Sequence, residues 1–341
     1  METMITTASI AIAAKAPGHL RWGNAPARGL KHGLFSILLL IASAFGADLS
    51  GEKLLVTSVR TGDTEVFIAD PTTGDMFNVS RSPKSEDRYP AWSPDAKHIV
   101  FMSDREHSTN LWICKADGSR VRRLLKSPDV CYMPSWQRTP KGERIVFGMH
   151  GEKPNMASIR PDGTDLVMLG EGHDPAFSPD GKFICYTGHP PEGGVTVYVM
   201  NWDGSGKRRV VQATSKVGAT FPNWSPDSRQ IVYSFPVAEA LELFIINPDG
   251  TGNRQLTRFG GTSVCTPSAW SPNGAWISFR RTDERYWSNP ERMVQVYSQK
   301  PADKRPVWVI RPDGTEPTLL EPLRFQMAID GSRASWKPTL P

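Results

Sequence analysis

Imidazole groups ligate divalent metals and move protons near neutral pH, and four of the seven histidines, His107, His150, His173 and His189, follow one another through the middle of the chain. No two of them stand at a ligand spacing, so a metal site would have to be assembled from separate loops, and none is assigned. The carboxylates suggest no acid–base pair: they are scattered in turns, and half of the Asp residues stand in Ser-Pro-Asp or Asp-Gly phrases, where they have a structural task. The sequence has no Gly-x-Ser-x-Gly elbow and no glycine-rich phosphate loop, which argues against serine hydrolases and nucleotide binding. Cys114, Cys131, Cys185 and Cys265 fit neither a zinc spacing nor a Cys-x-x-Cys pair and read as free, buried thiols. What remains is a set of aromatic and basic groups: Arg88, Tyr89, Tyr132, His173, Phe221, Arg280, Arg281, Tyr286 and Trp287. Tyr, Trp and Arg are the types that anchor protein contacts. These residues are the partner-binding candidates, with no catalytic residue and no cofactor expected.

Their positions depend on a repeated scaffold. A turn phrase recurs as AWSPDA from Ala91, SWQRTPKG from Ser135, AFSPDG from Ala176, NWSPDS from Asn223, AWSPNG from Ala269 and ASWKP from Ala334. Its aromatic anchors, Trp92, Trp136, Phe177, Trp224, Trp270 and Trp336, are 44, 41, 47, 46 and 66 residues apart, in the range of propeller blades. A second phrase alternates with the first, an apolar alternating run closed by a turn, as in LWICKADG, VYVMNWDG and LFIINPDG. Asp-Gly between two such runs marks a hairpin, because both residues tolerate the positive φ of the turn. Each repeat therefore predicts four strands. In the second repeat they are an inner strand ending at Trp92, then His98 to Ser103, Asn110 to Ala116, and Val121 to Leu125. One such sheet cannot bury both faces, so the anchors are expected between neighbouring sheets. The repeats begin after an anchor, at Gly51, and end just after one, at Trp336. The expectation is an all-β, six-bladed β-propeller of four-stranded antiparallel blades, its ring closed by the C-terminal strand joining the N-terminal blade.

Composition agrees with that reading. With 39% hydrophobic residues and 11 Trp a sizeable core can form, while 29 Gly and 29 Pro spread along the chain interrupt it too often for a helical bundle. The net charge is +5, yet residues 1–46 hold Lys15, Arg21, Arg28 and Lys31 against Glu2 alone, and the rest is close to neutral. A nucleic-acid footprint is therefore not supported. The four bases precede LFSILLLIASAF, Leu34 to Phe45, which has the length of a signal-peptide core and is too short to span a bilayer. The expected division is a signal peptide or N-terminal anchor over 1–46 and the propeller over 47–341. The mature chain is expected in the periplasm or cell envelope, monomeric and not integral to the membrane.

The phrase W-S-P-D-G, a β-run, then an aromatic, apolar residues, D-G and L-T resembles the WD-like repeat of TolB-type propellers. Asn223 to Thr257, with NWSPDS, LFIINPDG and RQLT, is the nearest copy, and the resemblance runs through all six repeats. It implies a non-enzymatic envelope protein that binds a protein or peptidoglycan-associated partner across its channel mouth. TolB proteins carry an N-terminal α/β domain as well, whereas signal-like sequence precedes Gly51 here. A further resemblance, to metal-using propeller lyases for oligogalacturonate, implies an alternative in which His173 and its neighbours hold a divalent metal.

Aligned on the anchors, Arg88, Tyr132, His173, Thr220, Thr266 and Ser332 stand four residues before, and Tyr89, Met133, Asp174, Phe221, Pro267 and Arg333 three before. These positions should ring the channel mouth. Two before stand Pro90, Pro134, Pro175 and Pro222, where a fixed φ would lead the chain into the innermost strand. The last repeat carries about 26 residues from Arg280 to Arg305 where others have a short loop, a length that reads as a lid or docking arm. Tyr286 and Trp287 stand in it.

Overall fold

The structure, a computed structural model, describes residues 48–212, 218–261, 263–282, 307–323 and 335–339. Within them the protein is all-β apart from one turn of 3₁₀ helix, Glu321–Leu323. The first meander pairs Leu54–Ser58 with Glu65–Ala69 and then Met76–Asn78, and the C-terminal Ser335–Trp336 adds to its other side, with Leu54 opposite Trp336. The second runs Asp87–Trp92, His98–Ser103, Asn110–Lys115 and Arg122–Arg123, and the third Val130–Thr139, Gly142–His150, Pro154–Ile159 and Val167–Glu171. The fourth is His173–Phe177, Phe183–Gly188, Thr196–Asn201 and Arg208–Arg209. Next come Thr220–Trp224, Ile231–Val237, Ala240–Ile246 and Arg254–Gln255, and finally Val264–Trp270, Ile277–Thr282, Val307–Ile310 and Thr318–Leu319. A parallel bridge between Leu241 and Val264 links these last two meanders into one sheet.

Apolar alternation makes the strands, and the anchors join the sheets. Trp136 packs against Val100, Leu111 and Ile113 of the preceding meander and against Ile145 and Phe147 of its own. Trp224 does the same between Val197 and Val199 on one side and Ile231 and Tyr233 on the other, and its Nε1 donates to the Ala176 carbonyl at 3.1 Å. Trp336 joins Leu54, Val56 and Phe67 to Trp276, Val307 and Val309. Burying each of these rings contributes on the order of 2 kcal/mol.

Two features of the turns follow from residue chemistry. In the Ser-Pro-Asp phrase, Ser93 Oγ donates to Asp95 Oδ1 at 2.6 Å and accepts from His98 N, while Asp95 Oδ1 also accepts from Lys97 N. Ser178 with Asp180 and Ser225 with Asp227 repeat this arrangement, and Asn273 takes the acid's place beside Ser271. In the Asp-Gly phrase, the glycine does more than supply positive φ. A Cβ on Gly163 (φ 90°) would stand 2.8 Å from the Leu124 carbonyl of the preceding meander. The same joint is fastened by Arg122, which donates to the Pro161 carbonyl at 2.6 Å, and Arg208 and Arg254 donate likewise to Pro248 and Pro312.

Three details differ from the sequence expectation. The fourth strands are shorter, as Arg122–Arg123 shows against an expected Val121 to Leu125. The third repeat has no Ser-Pro-Asp turn, and its inner strand continues to Thr139, opposite Gly142. The prolines before the anchors sit inside the inner strands, where each strand carries one extra residue. Register slips between Arg88 and Ala91, Tyr132 and Ser135, His173 and Ala176, and Thr220 and Asn223. A missing N–H is tolerated at such a bulge, which is why proline fits there.

Candidate functional site: the channel mouth

The bulges set the backbone at the positions that the sequence aligned just before the anchors. Tyr89, Met133, Asp174 and Phe221, each just before a bulge proline, all have φ between 49° and 55°. Non-glycine residues rarely occupy this region, so its recurrence at one position in four repeats is a built feature of the inner strands. Pro267 holds the same place in the next repeat, and there the slip falls between Pro267 and Ala269.

The predicted residues come together in part. The Tyr89 and Tyr132 rings lie 6.4 Å apart with planes tilted by 59°. Gly148 makes room for Tyr132, because a Cβ there would come within 2.7 Å of its ring. Arg88 Nη2 donates to Glu86 Oε2 at 3.0 Å. His173 is partly buried, its Nδ1 3.0 Å from Asp174 Oδ2, and its ring lies 5.4 Å from that of His189. Asp174 is buried and also accepts from Thr187 Oγ1, while His189 Nδ1 is 3.2 Å from the Gly194 carbonyl. Phe221 is partly buried in the same position of the next inner strand. His107 lies in the loop before Asn110 and His150 at the end of its strand, opposite Val130. Among the described residues no group of three or more His, Cys, Asp or Glu is arranged to hold a metal ion.

Arg280 and Arg281 stand differently from the expectation. Arg280 is 3% exposed, and the Arg281 guanidinium lies 4.2 Å from the centre of the Phe259 ring and 5.6 Å from that of Trp308. Strand alternation sends these neighbours to opposite faces of one sheet. Tyr286 and Trp287, with most of that connection, lie outside the described residues, as do residues 1–46, Ser332 and Arg333.

Sequence reasoning missed a buried ion pair beneath the mouth. Asp87 is fully buried and receives Arg105 Nη2 at 2.8 Å, and that guanidinium also covers the Trp112 and Phe101 rings at 4.9 and 5.2 Å. Burial pushes the Asp87 carboxyl above its usual range, against the pull of Arg105. The signal was present: five residues before the anchors the column reads Asp87, Cys131, Gly172, Ala219 and Cys265, one carboxylate among small residues. A second column was also legible. Glu65, Asn110, Thr196 and Glu242, each one residue before an apolar run, are buried and hold the connections that lead back to the mouth. Glu242 accepts from Gly260 N at 2.7 Å, Asn110 from Ser127 N at 2.8 Å, and Thr196 donates to the Val211 carbonyl at 2.7 Å.

Below the mouth, towards the Ser-Pro-Asp turns, lies a cavity of about 440 Å³. The residues just before each anchor, Ala91, Ser135, Ala176, Asn223, Ala269 and Ser335, all line it, together with Pro94, Pro179, Pro226, Pro272 and Pro338. All four cysteines are buried, and burial raises the Cys114 and Cys131 thiols to about 12, away from thiolate reactivity at neutral pH.

The TolB beta propeller domain family matches residues 38–220, more than half of the chain. This chain belongs to that family. An uncharacterized protein of Agrobacterium fabrum is 24% identical over 190 residues, 55% of this chain and 53% of that one. The Tol-Pal system protein TolB of Anaeromyxobacter dehalogenans is 30% identical over 98 residues, 29% of this chain and 22% of its own length. The chain thus spans about half or less of the curated relatives it matches. Among solved structures, TolB from Acinetobacter baumannii superposes with a TM-score of 0.64 at 17% identity, covering 90% of this chain and 72% of that one. An oligogalacturonate lyase in complex with manganese reaches a TM-score of 0.52 at 17% identity over 78% of this chain and 84% of that one. These structures share the propeller fold with the TolB-type chain described here.

Proposed function

We propose that this TolB-type propeller is an exported, non-enzymatic binding module that takes a protein or peptidoglycan-associated partner of the cell envelope at its channel mouth. The observation that supports the reading is the repeated bulge, at which Arg88, Tyr132 and His173 share one repeat position and Tyr89 and Phe221 the next, positions that would stand around one rim in a closed ring. A rim of partly exposed aromatic and basic groups on rigid inner strands is the build of a protein-contact surface. Six blades closing into a ring would hold that rim rigid. The pairing of Leu54 with Trp336, the cluster around Trp336 and the cavity lined from six inner strands all support closure. The arm bearing Tyr286 and Trp287 would complete the contact, with Arg280 and Arg281 fixing its base. LFSILLLIASAF and the TolB relatives support export to the periplasm.

The lyase reading draws on the neighbouring rings of His173 and His189, tilted by 46°, and on the His173–Asp174 contact. The described donors do not make up a ligand set of three, so no catalytic step is built on a metal. The test is crosslinked capture from the cell envelope by residues 47–341, beside a version lacking residues 283–303, with metal content measured on both. A partner held by the full chain and lost from the shortened one supports the binding module. One tightly held divalent ion, turnover of acidic oligosaccharides and no partner would replace it with the lyase.

A further inference from the structure

The cavity on the turn side takes no part in the contact proposed at the mouth. Inner strands make its wall, and apart from Val264–Trp270 each is the end strand of its sheet. Ser93, Ser178, Ser225 and Ser271, each just after an anchor, donate their N–H to the second strand, at His98, Phe183, Gln230 and Trp276. Hydrogen-bonded and non-hydrogen-bonded positions alternate along an antiparallel pair. The anchor before each serine therefore turns its own N–H and C=O away from the second strand, towards the cavity. Two of these N–H groups meet wall residues: Phe177 N donates to Ser135 Oγ at 3.1 Å and Trp224 N to Asn223 Oδ1 at 2.9 Å.

The wall side chains are polar without being charged. The residues just before the anchors alternate in chain order, Ala91, Ser135, Ala176, Asn223, Ala269 and Ser335, so every second repeat brings a small polar group. The third repeat, which lacks the Ser-Pro-Asp turn, adds the partly buried Gln137 amide. Among the described residues none that lines the cavity is charged. Trp224 and Trp336 donate their indole N–H to the Ala176 and Ala269 carbonyls on the wall. The buried indole N–H groups of Trp92 and Trp270, whose rings also line it, meet no acceptor among the described residues. The wall thus holds more donors than its own acceptors satisfy.

We propose that this cavity binds a neutral mono- or disaccharide. A charged ligand would lose its hydration with no counter-charge to meet it. A purely apolar one would strip water from the strand-edge N–H and C=O groups without replacing their hydrogen bonds. A sugar hydroxyl both donates and accepts, so it serves both kinds of group, while the C–H faces of the ring rest against the turn prolines. The volume of about 440 Å³ lies in the range of small-ligand sites. This inference is independent of the binding function proposed for the mouth.

The test is titration of the chain with glucose, glucuronate and protonated glucosamine, which share one ring and differ in charge, read by calorimetry and tryptophan fluorescence. Glucose should saturate with a Kd on the order of 1 mM, and both charged sugars should bind at least about tenfold more weakly. Ser335→Ala removes one wall hydroxyl without adding bulk and should weaken glucose binding by about fivefold. Gln137→Phe fills the cavity from a partly exposed position and should abolish binding with the melting temperature kept. Tyr89→Ala/Tyr132→Ala should bind glucose as the wild type does, which separates this site from the mouth. No saturable glucose binding, equal binding of the three sugars, or binding that survives both Ser335→Ala and Gln137→Phe unchanged would overturn the proposal.

Discussion

Asp227 and Asn273 occupy the same turn position in successive repeats, and each accepts from a serine hydroxyl two residues before it and from a backbone N–H two residues after it. The chain itself therefore shows that the turn needs the acceptor oxygen and not the charge. Asp227→Asn should change stability by less than about 0.5 kcal/mol, while Asp227→Ala should lose about 1 kcal/mol, read from urea midpoints. The charge matters to pH dependence. Hydrogen bonds from Thr164, Ser205, Thr251 and Thr315 hold Asp162, Asp203, Asp249 and Asp313 below the usual range, and Asp95 and Asp227 are lowered too despite partial burial. A lowered carboxyl adds stability above its unfolded pKa that is lost as pH falls through the folded value. Asp87, raised by burial, has the opposite sign: what it adds is present at low pH and lost as pH rises. The lowered group is larger, so urea midpoints should fall between pH ~5 and ~2. These turn residues were legible from the sequence as structural. Asp87 stood out in its column as the one carboxylate, but its ion pair was not legible, because Arg105, the partner that makes its burial tolerable, lies beyond the next strand.

At the scale of elements, the strands and their order could be read from alternation and turn phrases, because both are local. The inner-strand bulges could not, since a bulge is a mismatch between two strands and a one-strand pattern carries no record of it. For the same reason the Asp-Gly glycine read only as a turn residue, although its second constraint is the backbone of the neighbouring meander. Gly163→Ala and Gly142→Ala separate the two constraints. Both glycines have positive φ, but a Cβ on Gly142 meets nothing within 4 Å, whereas one on Gly163 meets Leu124 O. Each substitution should lose about 1 kcal/mol for backbone strain, with a further 1 kcal/mol or so at Gly163 for the clash, measured by denaturant unfolding. Trp224→Ala removes an anchor buried between two meanders and should destabilise by roughly 3–5 kcal/mol.

For the whole molecule, family membership rests on residues 38–220 and the fold on the superposed TolB structures, and neither names a partner. Alignment on the anchors picked out one pair of positions per repeat, and four repeats share a bulge there that gives the alignment a physical basis; that these positions form a rim for a partner is the proposal made above. The surroundings of the candidates were less legible: Arg280 and Arg281 read as partner-binding residues at the start of the long connection, because sequence position cannot tell that Arg280 is buried and that the Arg281 guanidinium lies against Phe259. The central claim is that the partner meets this rim and not the turn side of the channel. The most direct measurement is quantitative crosslinked capture by the folded chain, comparing wild type with Tyr89→Ala/Tyr132→Ala and with Lys182→Glu/Arg229→Glu, whose exposed cations stand beside the Ser-Pro-Asp turns. The account predicts that the tyrosine variant loses at least about tenfold in capture while the turn-side variant keeps it. Capture that survives loss of both tyrosines and fails with the turn-side charges reversed would contradict it.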